Sequence, residues 1–366
     1  MKINFLDLFS GIGGFSLGLE QAGYKFNYHG FSEIDKYASK QYKRRFPDAT
    51  ELGSITDVQP ETDLPSHIDI LCGGFPCQAF SIAGKRKGFD DTRGTLFFEI
   101  ARILRHFRDV GKPIPYFILE NVKGLLNHED GRTFATIYGV LADLDYTIEC
   151  ELLNTRNFSC PQNRERIYIV GRFRGESRPQ IFPIGESHQK VSRVFKGRLS
   201  EDRLFTNALT ARYTGDGAGS YVVENKQTRE LKQNQARITN SSPREFNPQE
   251  ISPALLSRDY KDPKLVITEG LKQIGKIANG DAGRIFDPNG ISCTLKAEGG
   301  GWGGKTGLYQ VENLKIRRLT PTECERLQGF PDGWTEGQSD TQRYKQCGNA
   351  VSVPVVRAIA EKLISL

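Results

Sequence analysis

In the run Ile68-Asp69-Ile70-Leu71-Cys72-Gly73-Gly74-Phe75-Pro76-Cys77-Gln78, a thiol follows a proline on a glycine-rich loop that leaves a short apolar strand. The carboxyl end of such a strand is where open α/β sheets collect ligands and chemistry, which makes Cys77 a candidate nucleophile. Its bland alternative is a cysteine that packs as a small hydrophobe. Glu120-Asn121-Val122 ends another apolar run, residues 116–119, and so lies on the same edge of the same sheet. A carboxyl at that edge can share a pocket with a thiol at a neighbouring strand end; alone, it reads equally well as a solvated terminus. Gln162-Asn163-Arg164-Glu165-Arg166 opens a further strand, with Arg164 and Arg166 at the two-residue spacing that puts them on one face. Such a pair serves surface ion pairing or the binding of exocyclic oxygens and phosphates.

A second chemical end lies near the start of the chain. Asp7-Leu8-Phe9-Ser10-Gly11-Ile12-Gly13-Gly14-Phe15 joins a strand to a helix through a glycine turn, and Glu33 closes the next strand, where an acid suits ribose hydroxyls. Ser16 stands where a dinucleotide fingerprint has its third glycine. A nucleoside cofactor without a pyrophosphate, such as S-adenosylmethionine, fits that departure; a tight turn that needs glycine only for its backbone remains the structural alternative.

Holding these groups requires alternating strands and helices. Periodicity predicts strands over 3–9, 26–32, 68–72 and 116–119, helices over 15–22, 35–45, 95–107 and 133–144, and two late strands over 146–153 and 166–171. This is an α/β fold, a doubly wound and mostly parallel sheet. From about residue 175 to 313 the chain turns rich in Gly, Asn, Ser, Arg and Thr with short β-like runs, a smaller loop-rich β domain. Three segments there, at 207–213, 253–260 and 293–297, read as a degenerate repeat or as chance likeness among hairpins. Helices return over 320–328 and 353–364. The expected division is a catalytic and cofactor-binding domain of residues 1–180 plus 345–366, and a target-recognition domain with hinge over 181–344.

Composition sets outer limits. A chain of 366 residues with 37% hydrophobic and 26% charged residues reads as a globular enzyme of two units. Its formal net charge of +6 permits a polyanionic partner. Seven cysteines without C-x-x-C pairs and five scattered histidines predict neither a disulfide framework nor a metal site. No apolar run is long enough to span a bilayer, and the opening residues carry no secretory pattern, so a cytoplasmic protein is expected.

Taken in order, Phe-Ser-Gly-Ile-Gly-Gly, then Gly-Phe-Pro-Cys-Gln-Ala-Phe-Ser, then Glu-Asn-Val, then Gln-x-Arg-x-Arg, and finally Gln346-Cys347-Gly348-Asn349-Ala350-Val351 closely resemble the bacterial DNA (cytosine-5)-methyltransferases of type II restriction-modification systems. The likeness spans essentially the whole chain. It includes residues 88–97, the run Leu319-Thr320-Pro321-Thr322-Glu323-Cys324, and in the variable part Arg284-Ile285-Phe286, Thr294-Leu295 and the glycine-rich stretch 299–307.

The resemblance implies that Cys77 adds to C6 of a target cytosine, which makes C5 nucleophilic enough to accept a methyl group. It implies that Glu120 contacts N3 and the amino group, that Arg166, supported by Arg164, holds the O2 side, and that Asn121 and Gln78 shape the pocket. For S-adenosylmethionine it implies Phe9, Gly11, Ile12, Glu33, Ile34, Ile55, Leu96, Asn349 and Val351, with Pro76 near the methyl group. Family members often carry Gly-Asp-Ile where this chain has Gly53-Ser54-Ile55, so the usual carboxylate toward adenine is missing and Asp57 is out of register. A cytosine in duplex DNA must swing out to reach such a pocket. Ser81 and the basic Lys85, Arg86 and Lys87, on a loop with glycines at both ends, are expected to close over it and meet phosphates. Asp281, Thr294, Lys296 and Lys305 are the expected base or phosphate contacts of the reading domain. The resemblance also implies a monomer with a cognate restriction endonuclease. The competing readings are an RNA substrate, a catalytically dead DNA-binding protein and a nicotinamide-dependent dehydrogenase.

Overall fold

The computed structural model describes residues 1–76, 96–174, 180–184, 273–276, 284–287, 291–297, 305–311 and 315–364. Its first part runs β1 (Lys2–Leu8), α1 (Gly14–Gln21), β2 (Lys25–Ser32), α2 (Lys36–Arg45), β3 (Thr50–Glu51), α3 (Pro60–Asp63), β4 (Ile70–Gly74), α4 (Leu96–Asp109), β5 (Tyr116–Val122), α5 (Arg132–Asp143), β6 (Tyr146–Asn154) and β7 (Glu165–Phe173). These strands form one seven-stranded sheet in the order β3-β2-β1-β4-β5-β7-β6. Within it β7 runs against its neighbours, pairing antiparallel with both β5 and β6.

The sheet is buried on both faces because its strands are apolar at odd and even positions alike. On one face Ile3, Phe5, Ile70, Cys72, Ile118, Tyr168 and Val170 pack against Phe15 and Leu19 of α1 and against Val355, Val356 and Ile359 of the closing helix Val353–Ile364. On the other, Leu6, Leu8, Leu71, Phe117, Leu119, Ile167 and Ile169 meet Phe97, Ile100 and Leu104 of α4 and Phe134, Ile137 and Leu141 of α5. The doubly wound α/β fold expected from the sequence is the fold observed.

A second sheet of four strands, ordered β11-β10-β9-β8, comprises β8 (Gln273–Lys276), β9 (Arg284–Phe286), β10 (Leu308–Val311) and β11 (Lys315–Arg318). Then follow α6 (Pro321–Gln328), α7 (Asp340–Asn349) and α8 (Val353–Ile364). Helix α6 starts on a capping box in which the Glu323 carboxylate accepts Thr320 N at 2.7 Å and Thr320 Oγ1 accepts Glu323 N at 3.3 Å.

One sequence expectation changes here. Helix α7 stands outside the expected elements, because Asp340–Asn349 is strongly polar; it buries Tyr344, Cys347, Gly348 and the polar Gln346, whose Nε2 is satisfied by Gln338 Oε1 at 2.7 Å. The expected boundary assigns residues 321–344 to the recognition domain. Within that stretch Phe330 and Trp334 pack into one cluster with Ile12, Phe31, Tyr42 and Phe46. Among the described residues, no helix is long and apolar enough to cross a membrane.

Candidate active site

Parallel pairing of β4 with β5 sets Gly74 directly opposite Glu120 at the carboxyl ends of both strands. The Glu120 carboxylate sits over Gly74: a Cβ built there would lie 3.4 Å from Glu120 Oε2. Antiparallel pairing of β5 with β7 puts Tyr168 opposite Glu120 and Arg166 one pleat further along the same face. Arg166 Nε lies 3.0 Å from Glu120 Oε1, with side chains only 17% and 13% exposed. That contact has ion-pair distance without hydrogen-bond alignment, and among the described residues Oε1 has no hydrogen-bond partner.

Asn121 is buried, and its Nδ2 donates to Phe75 O at 2.8 Å while its Oδ1 accepts Val122 N at 2.8 Å. The side chain therefore fastens the end of β5 to the first residue of the Pro-Cys loop. Pro76 is exposed at the last described position before that loop. Cys77, Gln78, Ser81, Lys85, Arg86, Lys87 and Asp281 lie outside the described residues.

Arg164 departs from the shared role suggested by its spacing from Arg166. It is buried, and its Nη1 and Nη2 donate to Gly348 O at 3.2 Å and Ala350 O at 2.8 Å. Burial first, and then the Arg166 charge, pull its pKa down to about 10, which still leaves a cation at neutral pH. Its guanidinium thus ties the start of β7 to the chain joining α7 and α8, the segment that carries Asn349 and Val351.

Phe9, Gly11, Ile12, Glu33 and Ile34 directly follow the carboxyl ends of β1 and β2. Phe9 (φ 53°), Gly11 (φ 55°) and Gly13 (φ 85°) take left-handed backbone in the turn before α1. At Gly13 a Cβ would strike the Phe46 ring, so the close approach of α2 also demands glycine. Glu33 joins the two loops: its Oε2 accepts Gly11 N at 2.8 Å and its Oε1 accepts Asp35 N at 2.8 Å. Ile12, Ile55 and Val351 are buried, whereas Ile34 is 78% exposed and Asn349 is exposed beyond them. Leu96 is partly buried against the core cluster that includes Ile55. At the substituted position Ser54 Oγ lies 2.7 Å from Thr56 Oγ1, and Thr56 Oγ1 donates to Asp57 Oδ1 at 3.1 Å, so Asp57 is engaged within its own turn.

The family description C-5 cytosine-specific DNA methylase matches residues 3–365. The chain belongs to that family. It is 39% identical over its whole length to the type II methyltransferase M1.ScrFI of Lactococcus lactis subsp. cremoris, covering 79% of that protein. It is 37% identical over 98% of its length to the type II methyltransferase M.HhaI of Haemophilus parahaemolyticus, covering 93% of it. Among solved structures, a mutant of Spodoptera frugiperda DNMT2 aligns over 99% of both chains with a TM-score of 0.60 at 19% identity. The enzyme is therefore a DNA (cytosine-5)-methyltransferase that works with a methyl donor.

Within this methylase the small sheet is joined to the large one by residues 291–297. Ser292 N donates to Pro161 O at 2.8 Å, Asn163 N donates to Ser292 O at 3.0 Å, and the Thr294 hydroxyl donates to Asn163 O. Thr294, one of the expected DNA contacts, thus spends its hydroxyl proton on the protein itself. Lys296 N donates to Lys305 O at 2.9 Å, which sets Lys296, exposed, beside Lys305, half-buried, on paired backbone.

Two features escaped the sequence reading. Trp334 donates from Nε1 to Ile12 O at 2.9 Å and so braces the 9–13 turn from the loop after α6. Asp7, Ser16, His29 and Tyr42 form a buried polar cluster below the same turn. The one sequence sign of the second was Ser16, read as a missing glycine.

Proposed function

We propose that the enzyme methylates C5 of a cytosine turned out of duplex DNA, through a covalent bond between Cys77 Sγ and C6. The observation that carries this reading is the Gly74–Glu120 pairing with Arg166 3.0 Å from the carboxylate, three residues before the thiol. Cys77 as thiolate adds to C6 and raises electron density at C5, which takes the methyl group; the C5 proton then passes to solvent as the Sγ–C6 bond breaks, releasing Cys77 again as thiolate. Glu120, with an oxygen that lacks a hydrogen bond among the described residues, supplies or shares a proton at N3. Arg166 holds the O2 side of the ring, and its charge beside the pocket favours the thiolate. Asn121 and Arg164 act as positioning residues, the first on the Pro-Cys loop and the second on the 348–350 chain.

The cofactor is S-adenosylmethionine, which when bound supplies an electrophilic methyl group. The residues present fit it. Glu33 lies between the two loops as an acceptor for ribose hydroxyls, exposed Ile34 offers an apolar face to adenine, and the left-handed turn at 9–13 lets backbone approach closely. With Ser54 in place of an acid, adenine is held by apolar contact at Ile34 and Ile55.

The small sheet with the chain around it reads the target sequence, and Lys85, Arg86 and Lys87 close over the extruded base. The type II names of the relatives support a role in protecting DNA from a cognate endonuclease. In that role the enzyme acts as a cytoplasmic monomer. The deciding experiment incubates pure, folded enzyme with labelled S-adenosylmethionine and mixed-sequence duplex DNA. Label at cytosine C5 is expected, with tRNA as the competing substrate. Cys77→Ser should abolish both methylation and the covalent trap with 5-fluorocytosine DNA. Full activity in that variant removes Cys77 from the mechanism.

A further inference from the structure

Beneath the two loops assigned to the cofactor lies a polar cluster that the reaction at cytosine does not use. Asp7 is fully buried on β1, where a carboxyl without hydrogen-bond partners would be costly. Its Oδ2 accepts Ser16 Oγ at 2.8 Å and Tyr42 OH at 3.0 Å. The two hydroxyls are 2.6 Å apart, and His29 Nε2 lies 3.1 Å from Ser16 Oγ and 2.7 Å from Tyr42 OH. The four residues come from β1, α1, β2 and α2. Asp7 and Ser16 flank the 9–13 turn, and His29 and Tyr42 flank the segment carrying Glu33 and Ile34. The cluster therefore ties the roots of both loops to one carboxylate oxygen, while the Gly11–Glu33 hydrogen bond ties their tips.

We propose that Asp7, Ser16, His29 and Tyr42 are a positioning node that fixes the two cofactor loops against each other, so that affinity for S-adenosyl compounds depends on them and the chemistry at C5 does not. This rests on the reading of those loops as the S-adenosylmethionine site. None of the four needs to touch the ligand. The groups that act on the node are Cys72, which faces Asp7 across the β1–β4 register, Glu33 above it, and Lys43 beside His29. Burial raises Asp7 to about 7 and lowers His29 to about 4, so near neutrality His29 is uncharged and the proton that comes and goes belongs to Asp7. Ionised, Asp7 makes charge-assisted bonds to both hydroxyls and holds the loops more firmly. Ligand affinity should therefore rise as pH passes upward through about 7.

The test is calorimetric binding of S-adenosylhomocysteine, with no turnover involved. Tyr42→Phe keeps the ring stacked 4.1 Å from Phe31 and removes only the hydroxyl; Ser16→Ala removes the other. Each should weaken binding about tenfold, as loss of a hydrogen bond to a charged group predicts, with kcat at saturating cofactor changed by no more than about twofold. Between about pH 6 and 8 the natural enzyme should bind more tightly as pH rises, and Asp7→Asn should lose that component. The ligand's own α-amino group titrates alike in both proteins, so their difference isolates Asp7. Unchanged affinity in both hydroxyl variants, or a pH dependence identical in Asp7→Asn, overturns the node. Should the variants not fold, a pH-independent affinity in the natural enzyme overturns it too. Failure of the natural enzyme to bind the ligand at all overturns the cofactor site and the node together, which separates the two readings.

Discussion

Glu120 and Arg166 hold opposite charges 3.0 Å apart where each exposes less than a fifth of its side chain, so the pair is shielded from water enough for its geometry to matter. Glu120→Gln keeps the shape and removes the ionisable carboxyl. Single-turnover methylation by that variant should be slower by about 10²–10⁴-fold, the usual worth of a positioned acid. S-adenosylhomocysteine affinity should not change, since among the described residues the contacts of Glu120 are with Arg166 and Gly74 and not with the 9–13 turn or the Glu33 segment; a parallel loss of ligand binding would show that the residue supports the fold instead. Both members of the pair were legible in the sequence, because strand ends and two-residue spacing are local facts. Arg164 was legible only as a neighbour of Arg166. Its acceptors, Gly348 O and Ala350 O, lie 184 and 186 residues away along the chain, and no local pattern announces a partner at that distance.

Helix α7 shows the same limit one scale up. Its sequence has little apolar periodicity, and it is held as a helix by what covers it: Tyr344 and Cys347 pack with Leu295, Cys324 and Leu327. Gly348, in its last turn, is pressed against the backbone of Lys296 and Ala297, so a methyl group there has nowhere to go. Gly348→Ala should lower unfolding stability by roughly 1–3 kcal/mol in urea and weaken duplex DNA binding, because the relief open to it is to push the 291–297 segment away. Gly139, in α5, is the control: among the described residues nothing lies within 4 Å of a Cβ there, and Gly139→Ala should stabilise by up to about 1 kcal/mol through helix propensity. Equal effects from the two substitutions would remove the contact between α7 and the small sheet from the explanation.

Over the whole molecule, buried titrating groups link stability to pH. Glu151 on β6 accepts Ile184 N at 3.3 Å and so fastens the chain leaving the large sheet, and burial raises its pKa to about 7. In the unfolded chain that carboxyl loses its proton near its ordinary value of 4.5, whereas the folded state keeps it up to about 7. Between those values the folded state binds more protons, so the Glu151 contribution to stability falls as pH rises and is flat above about 7. Glu151→Gln should remove that part of the decline when denaturant midpoints are compared at about pH 5 and 8. His29 acts in the opposite direction, since its folded pKa is lowered to about 4 and stability gained from it grows as pH rises toward its ordinary value of 6.5. A decline across that range that is the same in the Glu151 variant would place its cause elsewhere.

The amino-acid order by itself determined six of the seven strands of the large sheet and the longer helices between them, the strand end that carries Glu120, the glycine turn with Glu33, and the family. Each depends on side-chain period, turn chemistry or a contiguous motif. Only the tertiary structure decided that Arg166 faces Glu120 while Arg164 reaches Gly348 and Ala350, that the Thr294 hydroxyl donates to Asn163, that Trp334 braces Ile12, and that Asp7 gathers its partners below the 9–13 turn. A polar side chain of this kind carries several donors or acceptors. Which of them is used depends on what packing brings within about 3 Å, and that is set by segments far apart in the chain.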